Sequence, residues 1–250
     1  MKKFCTLLFF TFFLQCFLLA QVDTINTQTN KLLLRNLKES NTSYLVYTED
    51  SATGEIHYSD VWVRSVSFTS FHNTPAVAFG WKWYHHDSLY KSVSDVCSKA
   101  TLAPLYAYTN SKRVGVMAYN FNNGYMITAD TVAGNNAKPA TNIAMNLPTY
   151  DWQWDMEIFE LLPYKKLGQQ FAIAFFDPND LNGKPDYYMH TIIGEDTLVL
   201  NKEAQVKCWL LRIDYTKEAY AIFWISQKSH EMLKMKNYYK GMFRYKVRLY

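Results

Sequence analysis

The sequence predicts an all-β protein, mainly antiparallel, whose strongly curved meander sheet forms a barrel or half-barrel with one or two short helices. Apolar and polar residues alternate along many short segments, as in strands with one buried face. Aromatic residues make up 17% of the chain, and rings pack well on pleated surfaces. The segments give ten or more strands, and a sheet of that size must curl or close.

The N-terminus has the pattern of a secretory signal peptide. Two lysines precede an apolar run that extends from Phe4 to Ala20, and we place the cleavage after Ala20. The run is slightly short for a transmembrane helix, which needs about 20 apolar residues. We therefore expect a signal peptide at 1–20 and a single β-rich domain at 21–250. The domain is expected in the periplasm or at the outer envelope, without a stable membrane span.

Removal of the signal peptide changes both the charge and the cysteine content. It takes away two of the 26 basic residues and none of the 22 acidic ones. The remaining domain is nearly neutral, so we expect no nucleic-acid partner. Cys97 and Cys208 are the cysteines that remain. They either form a disulfide in an oxidising compartment or stay as two buried thiols, and sequence separation does not decide between these alternatives.

The last fifty residues predict a five-stranded meander. Its final strand alternates between apolar and cationic residues from Phe243 to Leu249, which is typical of a sheet with one solvated side. Lys240-Gly241 suits the tight turn before it. The four preceding strands are predicted at 197–200, 206–213, 220–225 and 232–238.

The rest of the chain predicts more hairpins and two helical segments. Asn122-Asn123-Gly124 is a strong hairpin signal between strands at 114–121 and 125–129. Pro148–Leu162 has apolar residues at helical spacing, with Asp151 placed to cap the helix. Asn30–Ser40 suggests a second short helix. The polar segment 131–147 is predicted to be a long loop. Further strands are predicted at 44–48, 56–63, 77–83, 171–175 and 187–193.

Several stretches resemble a known group of proteins. They are Val93–Asp95 with Thr101–Pro104, Phe159–Pro163, Phe171–Pro178, Trp224–Lys234 and Arg244–Tyr250. Together they resemble the exported, uncharacterised β-proteins of Gram-negative envelopes that are grouped as a domain of unknown function, over most of residues 40–250. The resemblance implies a fold similar to the half-open barrels of Lol-type lipoprotein carriers, which hold acyl chains. It assigns no role to any residue, because similarity of fold does not transfer function.

No catalytic, metal or cofactor motif is complete. His230-Glu231 lacks the second histidine of a zinc-protease helix. His85 and His86 would point to opposite faces of a strand. In the loop 177–183, Pro178 stands where a calcium-binding EF-hand needs its first oxygen ligand. We therefore predict no metal, no cofactor and no catalytic residue.

The excess of aromatic residues is the one unusual feature of the composition, and its tryptophans support two interpretations. The rings either build a core or line an apolar cavity or groove, with the pair at 152 and 154 covering its mouth. The candidate ligand-binding residues are Trp81, Trp83, Trp152, Trp154, Trp209 and Trp224.

The sequence leaves three functions open, in a definite order. The first is non-catalytic binding of a hydrophobic ligand, a lipid or lipoprotein acyl chain, within the curved sheet. The second is a glycan- or protein-binding module that uses exposed aromatic residues, and its discriminator is whether Trp81, Trp83 or Trp154 is solvent-exposed and coplanar. The third is an enzyme of unknown type. The sequence does not determine the oligomeric state.

Overall fold

A computed structural model describes residues 22–250 apart from 30, 139–140, 181, 201 and 203. The predicted signal peptide and the cleavage site after Ala20 lie outside the described residues. The described chain forms sixteen strands, one α-helix and two 3₁₀ turns. The strands are β1 (Val22–Ile25), β2 (Ser40–Asp50), β3 (Ile56–Phe71), β4 (Thr74–His85), β5 (Ser88–Ser98), β6 (Pro104–Ser111), β7 (Gly115–Asn122), β8 (Tyr125–Thr128), β9 (Asn142–Ala144), β10 (Tyr150–Asp151), β11 (Gln170–Phe176), β12 (Asp186–Val199), β13 (Gln205–Thr216), β14 (Ala219–Ser226), β15 (Met232–Tyr239) and β16 (Met242–Leu249). The helix α1 is Asp155–Glu160, and the 3₁₀ turns are Leu34–Asn36 and Trp152–Trp154.

One sheet contains every strand. Its order is β1-β11-β12-β13-β14-β15-β16-β2-β3-β4-β5-β6-β7-β8-β9, with β10 paired to β11 outside this path. Pairing is antiparallel throughout, except that β1 and β10 run parallel to β11. The sheet is curved and does not close, and its two edge strands, β1 and β9, are short. Short edge strands limit unwanted pairing with other chains. The all-β class is therefore confirmed, and the sheet is open.

Local turn chemistry places the hairpins where the sequence predicts them. Asn123 and Gly124 have φ angles of 51° and 78° between β7 and β8, and Lys240 and Gly241 have 48° and 79° between β15 and β16. Two consecutive positive φ angles match the right-handed twist of the strands, and glycine adopts them without steric strain. Both hairpins and the C-terminal meander are confirmed. The predicted strands at 187–193 and 197–200 are one strand, β12, with a register shift between Ile192 and Gly194.

The helical predictions are confirmed only in part. Within 148–162 the helix is reduced to a 3₁₀ turn followed by α1, and Asp151 caps it by accepting a hydrogen bond from the backbone N of Gln153 at 2.8 Å. The helix predicted at Asn30–Ser40 is wrong apart from one 3₁₀ turn. There, the backbone N of Leu33 donates to the carbonyl of Leu161 at 2.8 Å, so a distant segment takes the hydrogen bond. The segment predicted as a loop at 131–147 contains β9.

The concave face of the sheet is filled by the segment 150–162. Trp154, Ile158 and Phe159 are at most 1% exposed, and the Phe159 ring lies 4.7 Å from the Phe223 ring on β14. The Trp154 ring lies 5.1 Å from that of Phe79 on β4. The protein's own side chains therefore occupy the space that a half-barrel would offer to an acyl chain.

The cationic face of β16 points inward. Lys246 pairs with Val46 across the sheet, and both are buried beneath α1, where the Nζ of Lys246 lies 3.7 Å from the Sδ of Met156. Tyr245, on the opposite face, stacks on Tyr47 at 4.8 Å. Alternation predicts that β16 has two different faces, and the charged face is the one that packs against the core and α1.

Cys97 and Cys208 are both free and buried. Cys97 lies in the main core on the concave side, whereas Cys208 packs with Trp224 and Leu233 in a separate cluster on the outer face. Because the sheet separates the two thiols, the structure has the buried-thiol alternative and no disulfide between them.

Candidate functional site

The six predicted ligand-binding tryptophans separate into different environments. Trp154 is fully buried, and its Nε1 donates to Asp95 at 3.0 Å, so it does not cover a mouth. Trp209 packs against the main core, whereas Trp224 belongs to the outer cluster and donates to Asp196 at 2.7 Å. These two tryptophans are therefore on opposite faces of the sheet.

The other three meet at one end of the concave face. They border a cleft with a volume of about 270 Å³, which we call the mouth cleft. Its lining residues are Trp81, Trp83, Lys91, Trp152, Gln153, Asp155, Asp177, Asn179 and Tyr215. Strands β4, β5 and β13, the 3₁₀ turn at 152–154 and the chain after β11 thus contribute side chains to one site.

Two of the tryptophan rings are already covered on their faces. Trp83 stacks on Trp62 with the ring centroids 4.2 Å apart and the planes 1° apart, and the Nζ of Lys91 lies 4.2 Å from the Trp83 centroid. The Arg64 guanidinium lies 3.5 Å from the Trp81 centroid, and Trp81 is 6% exposed. Of the three rings that would distinguish a stacking platform, Trp81 and Trp154 are buried, and the half-buried Trp83 has one face covered by Trp62.

Tyr215 is the exposed ring of the cleft, and Trp152, like Trp83, is half-buried, with the Tyr188 ring 4.7 Å from it. One face of Trp152 stacks on Phe175 at 4.2 Å, and its ring meets Tyr215 edge-on at 6.3 Å. Tyr215 is 43% exposed. Aromatic rings with an apolar face and a polar group are suited to ligands that combine an apolar surface with solvated polar groups.

Hydrogen-bond donors and hydrogen-bond acceptors surround these rings. The carboxylates of Asp155 and Asp177 accept hydrogen bonds, whereas Lys91 and Gln153 donate them. The Nε2 of Gln153 and the Nε1 atoms of Trp81 and Trp83 are buried without an acceptor among the described residues. Burial lowers the pKa of Lys91, although Asp177 and Asp95 oppose this effect. Buried donors without an acceptor cost free energy, and functional sites are where proteins tolerate such costs.

A layer of buried charge lies beneath the cleft. Arg64 makes a two-pronged ion pair with Glu157 of α1, in which its Nε lies 2.7 Å from Oε1. Arg244 and Lys246 of β16 lie 4.7 and 5.0 Å from the Trp62 centroid. Burial lowers the pKa of Lys246 to about 8, with Asp155 opposing this effect and Arg244 adding to it.

Two buried carboxyl groups hold the segment that lines the cleft. Asp95 accepts from the backbone N of Tyr108 and from the Nε1 of Trp154, each at 3.0 Å, and Asp151 caps the turn that carries Trp152. Burial raises the pKa of Asp95 to about 7, although these hydrogen bonds lower it. Burial and the neighbouring Asp95 raise the pKa of Asp151 well above its usual range.

A further polar network lies at the same end of the sheet. Asp60 accepts from the hydroxyls of Tyr58 and Tyr90 at 2.6 and 2.5 Å, and its other oxygen lies 2.9 Å from the Nδ1 of His85. Burial by itself would raise the pKa of Asp60, but these hydrogen bonds together lower it. His85 stacks on His86 at 4.2 Å. Among the described residues, no group of three or more His, Cys, Asp or Glu side chains could hold a metal.

Sequence reasoning found Trp81, Trp83 and Trp152 but missed most of their polar neighbours. The alternation of cationic and apolar residues on β16 is the one sequence signal that includes Arg244 and Lys246. From the sequence alone, that signal indicates a solvent-exposed face. Nothing in the sequence relates Lys91 or Tyr215 to the short helix, because they meet it only through the curvature of the sheet.

These features define a class of protein: a single open antiparallel sheet, curved around its own short helix, with an aromatic and polar cleft at one end. Residues 44–248 match the family described as Protein of unknown function (DUF3108), and the chain belongs to that family. The grouping with a domain of unknown function is thereby confirmed. None of the described helices is long and apolar enough to cross a membrane.

The chain is also similar to a solved structure, the β-barrel-like protein of domain of unknown function DUF1849 from Brucella abortus. The two are 9% identical, the alignment covers 85% of this chain and 96% of that one, and the TM-score is 0.49. No functionally curated protein matches the chain.

Proposed function

We propose that the protein is an exported, non-catalytic binding protein that holds a short glycan in the mouth cleft. The observation that carries this proposal is the pairing of the exposed Tyr215 ring with the half-buried Trp152 ring, with hydrogen-bond donors and acceptors around them. A sugar ring presents C–H groups on its faces and hydroxyls at its edge, and each hydroxyl both donates and accepts. That chemistry is complementary to the cleft.

The charges of the cleft favour a neutral ligand over a strongly charged one. Lys91 lines the cleft together with the two acids Asp155 and Asp177, and the cation Arg64 beneath it is paired with Glu157. A carboxylate or ammonium ligand would meet groups of its own sign. A neutral polyhydroxylated ligand uses the same groups as hydrogen-bond partners without adding a charge to a half-buried site.

A hydrophobic ligand within the concave face receives less support. The rings of Phe159, Phe175 and Phe223 pack there against one another, and each is at most 1% exposed. Opening that space for an acyl chain would require α1 to leave its place against the sheet, which would expose a large part of the core. Export is supported by the signal-peptide pattern of residues 1–20, and the proposed compartment is the periplasm or the outer envelope.

Titration with simple sugars tests the proposal. We would add glucose, galactose, mannose, N-acetylglucosamine and their disaccharides to the purified protein and follow tryptophan fluorescence, with calorimetry to confirm any hit. We expect saturable one-to-one binding of at least one sugar, with a fluorescence change from Trp152. Tyr215→Ala should weaken that binding roughly two- to tenfold, the range expected for one ring contact.

Tyr239→Ala is the matched control. Tyr239 is a tyrosine on β15 with 52% exposure and does not line the cleft, so its replacement should leave affinity unchanged. Both side chains are exposed, so neither change should prevent folding. Failure of every sugar in the panel to bind saturably would overturn the proposal, as would equal affinity of the Tyr215→Ala protein and the wild type.

A further inference from the structure

A second groove in the described part of the chain lies away from the mouth cleft. It has a volume of about 600 Å³ and lies at one end of the sheet, beside the outer cluster formed by Cys208, Trp224 and Leu233. Leu200, Val206, Leu233 and Tyr250 give it a mostly apolar lining. We call it the outer groove. Its volume is within the range of about 300–1,000 Å³ that is usual for small-molecule sites.

The apolar lining is accessible. Leu200 is 45% exposed and Tyr250, which also lines the groove, is 78% exposed. Leu233, which is 4% exposed, belongs to the small core on which the groove opens. An apolar ligand would therefore contact the side chains of an existing core and would cover surface that now faces water, which is favourable.

Positive charge is in excess around this lining. The carboxylate of Glu231 is held by Lys38 at 3.3 Å and by Arg248 at 3.2 Å. Lys207 and Lys228 also line the groove, and neither forms an ion pair with any described residue. The local charge is thus complementary to an anion.

One neutral donor supports the same conclusion. Gln227 lines the groove, and its Nε2 is buried without an acceptor among the described residues. A carboxylate offers two oxygens that accept hydrogen bonds from an amide and from ammonium groups together.

From this combination we infer that the outer groove binds a long-chain carboxylate, with the alkyl chain along Leu200, Val206 and Leu233 and the carboxylate between Lys207 and Lys228. The ligand class follows from the two halves of the site: an unbranched chain suits the apolar lining, and a monoanion suits the surplus cations. This site goes beyond the proposed glycan function, and neither depends on the other, because they share no lining residue.

Calorimetric titration with dodecanoate, at concentrations below micelle formation, tests the inference. We expect saturable binding with one molecule for each protein chain. Dodecanol, which has the same chain without the charge, should bind roughly tenfold more weakly, as expected when two exposed ion pairs are lost. Butyrate should not bind detectably, because its chain covers too little apolar surface.

Three variants separate the two halves of the site. Lys207→Gln with Lys228→Gln should weaken dodecanoate binding by the same factor of roughly ten and leave dodecanol binding unchanged. Tyr250→Ser should weaken both ligands, because it removes an apolar wall. Lys82→Gln is the control, since Lys82 is an exposed strand lysine that does not line the groove. All four of these side chains are exposed, so the changes should not disturb the core.

The outcomes are decisive in both directions. Equal affinities for dodecanoate and dodecanol, or an unchanged affinity after the double lysine change, would overturn the carboxylate site. Binding of many dodecanoate molecules to each chain would show surface adsorption and would also overturn it. Binding of anionic lipid vesicles in place of free dodecanoate would show that the face docks on a membrane surface, contrary to the inference.

Discussion

Replacing Lys246 with methionine is expected to stabilise the protein at neutral pH. Lys246 is 7% exposed, and among the described residues its Nζ has the thioether of Met156 at 3.7 Å as its hydrogen-bond acceptor. Burial lowers its pKa from 10.5 to about 8, with Asp155 opposing the change and Arg244 and Arg64 adding to it. The ammonium is therefore less stable in the folded protein than in the unfolded chain.

The magnitude follows from that pKa. A tenfold change in the dissociation constant corresponds to about 1.4 kcal/mol, so the buried charge costs the folded state about 3 kcal/mol. The contacts of Lys246 with the rings of Trp62 and Trp81, at 5.0 and 5.7 Å, offset part of this cost, and a cation–π contact contributes about 1 kcal/mol. Methionine retains the unbranched shape, so we expect a net gain of about 2 kcal/mol, or roughly 4–8 °C in Tm.

The pH dependence identifies the cause. The folded-state pKa of Lys246 is lower than the unfolded one, so the cost of the charge is complete below about pH 8. It disappears as the pH rises to 10.5, where the ammonium is neutral in both states. The stability difference between Lys246→Met and the wild type should therefore be largest at pH 7 and should vanish near pH 10.5.

Urea unfolding at pH 7, 9 and 10.5 measures this difference, and Lys82→Met is the matched control. Lys82 is exposed on β4, so its replacement should change the free energy of unfolding by less than about 0.5 kcal/mol at each pH. A Lys246→Met protein that is less stable than the wild type at pH 7 would refute the reasoning. So would a gain that stays the same up to pH 10.5.

Three further changes test the core and the turns by urea unfolding. Asp151→Asn keeps the capping oxygen and removes a buried carboxyl whose pKa is raised. The free energy of unfolding should increase by about 1 kcal/mol or more at pH 8. This gain should disappear below about pH 4, where the carboxyl is neutral in both the folded and the unfolded protein. Phe159→Ala should destabilise by about 3–5 kcal/mol, whereas Phe68→Ala, at a ring that is 38% exposed, should cost far less; equal losses would mean that the concave face is not packed. Asn135→Asp should cost about 1–3 kcal/mol, because the side-chain nitrogen of Asn135 donates to two backbone carbonyls; an unchanged stability would contradict the role of that amide.

Much of the fold could be predicted because hairpins depend on local chemistry. Asn123-Gly124 and Lys240-Gly241 adopt positive φ angles at the turns, and the alternating segments between turns become strands wherever neighbours pair with them. The helix at 148–162 was predicted too long, because its flanks serve other partners: Tyr150 and Asp151 pair with β11 as β10. Local propensity yields to such pairing when the pairing buries more surface.

The candidate site could be predicted only in part. Trp81 and Trp83 share a strand face, and period-two spacing is enough to show that. The cleft that they share with Trp152, and the ion pair of Arg64 with Glu157, bring together residues far apart in sequence. The spacing of residues in the sequence does not predict such long-range contacts, because they depend on how strongly the sheet curves and on which segment packs against its concave face.

By itself, the sequence determined the all-β class, the C-terminal meander and the hairpin turns at 122–124 and 240–241, since these follow from side-chain alternation and from backbone preferences of a few residues, whereas β1, β5, β6, β9 and β10 were not predicted. The tertiary structure decided which face of each strand is buried. On β16 it turned the cationic face inward, because Trp62, Trp81 and α1 lie opposite and surround the charges. It also decided that the concave face is filled by the protein's own helix, and that the sheet ends in open edges. Alternation gives a strand two faces, and only packing against the rest of the chain determines which one meets water.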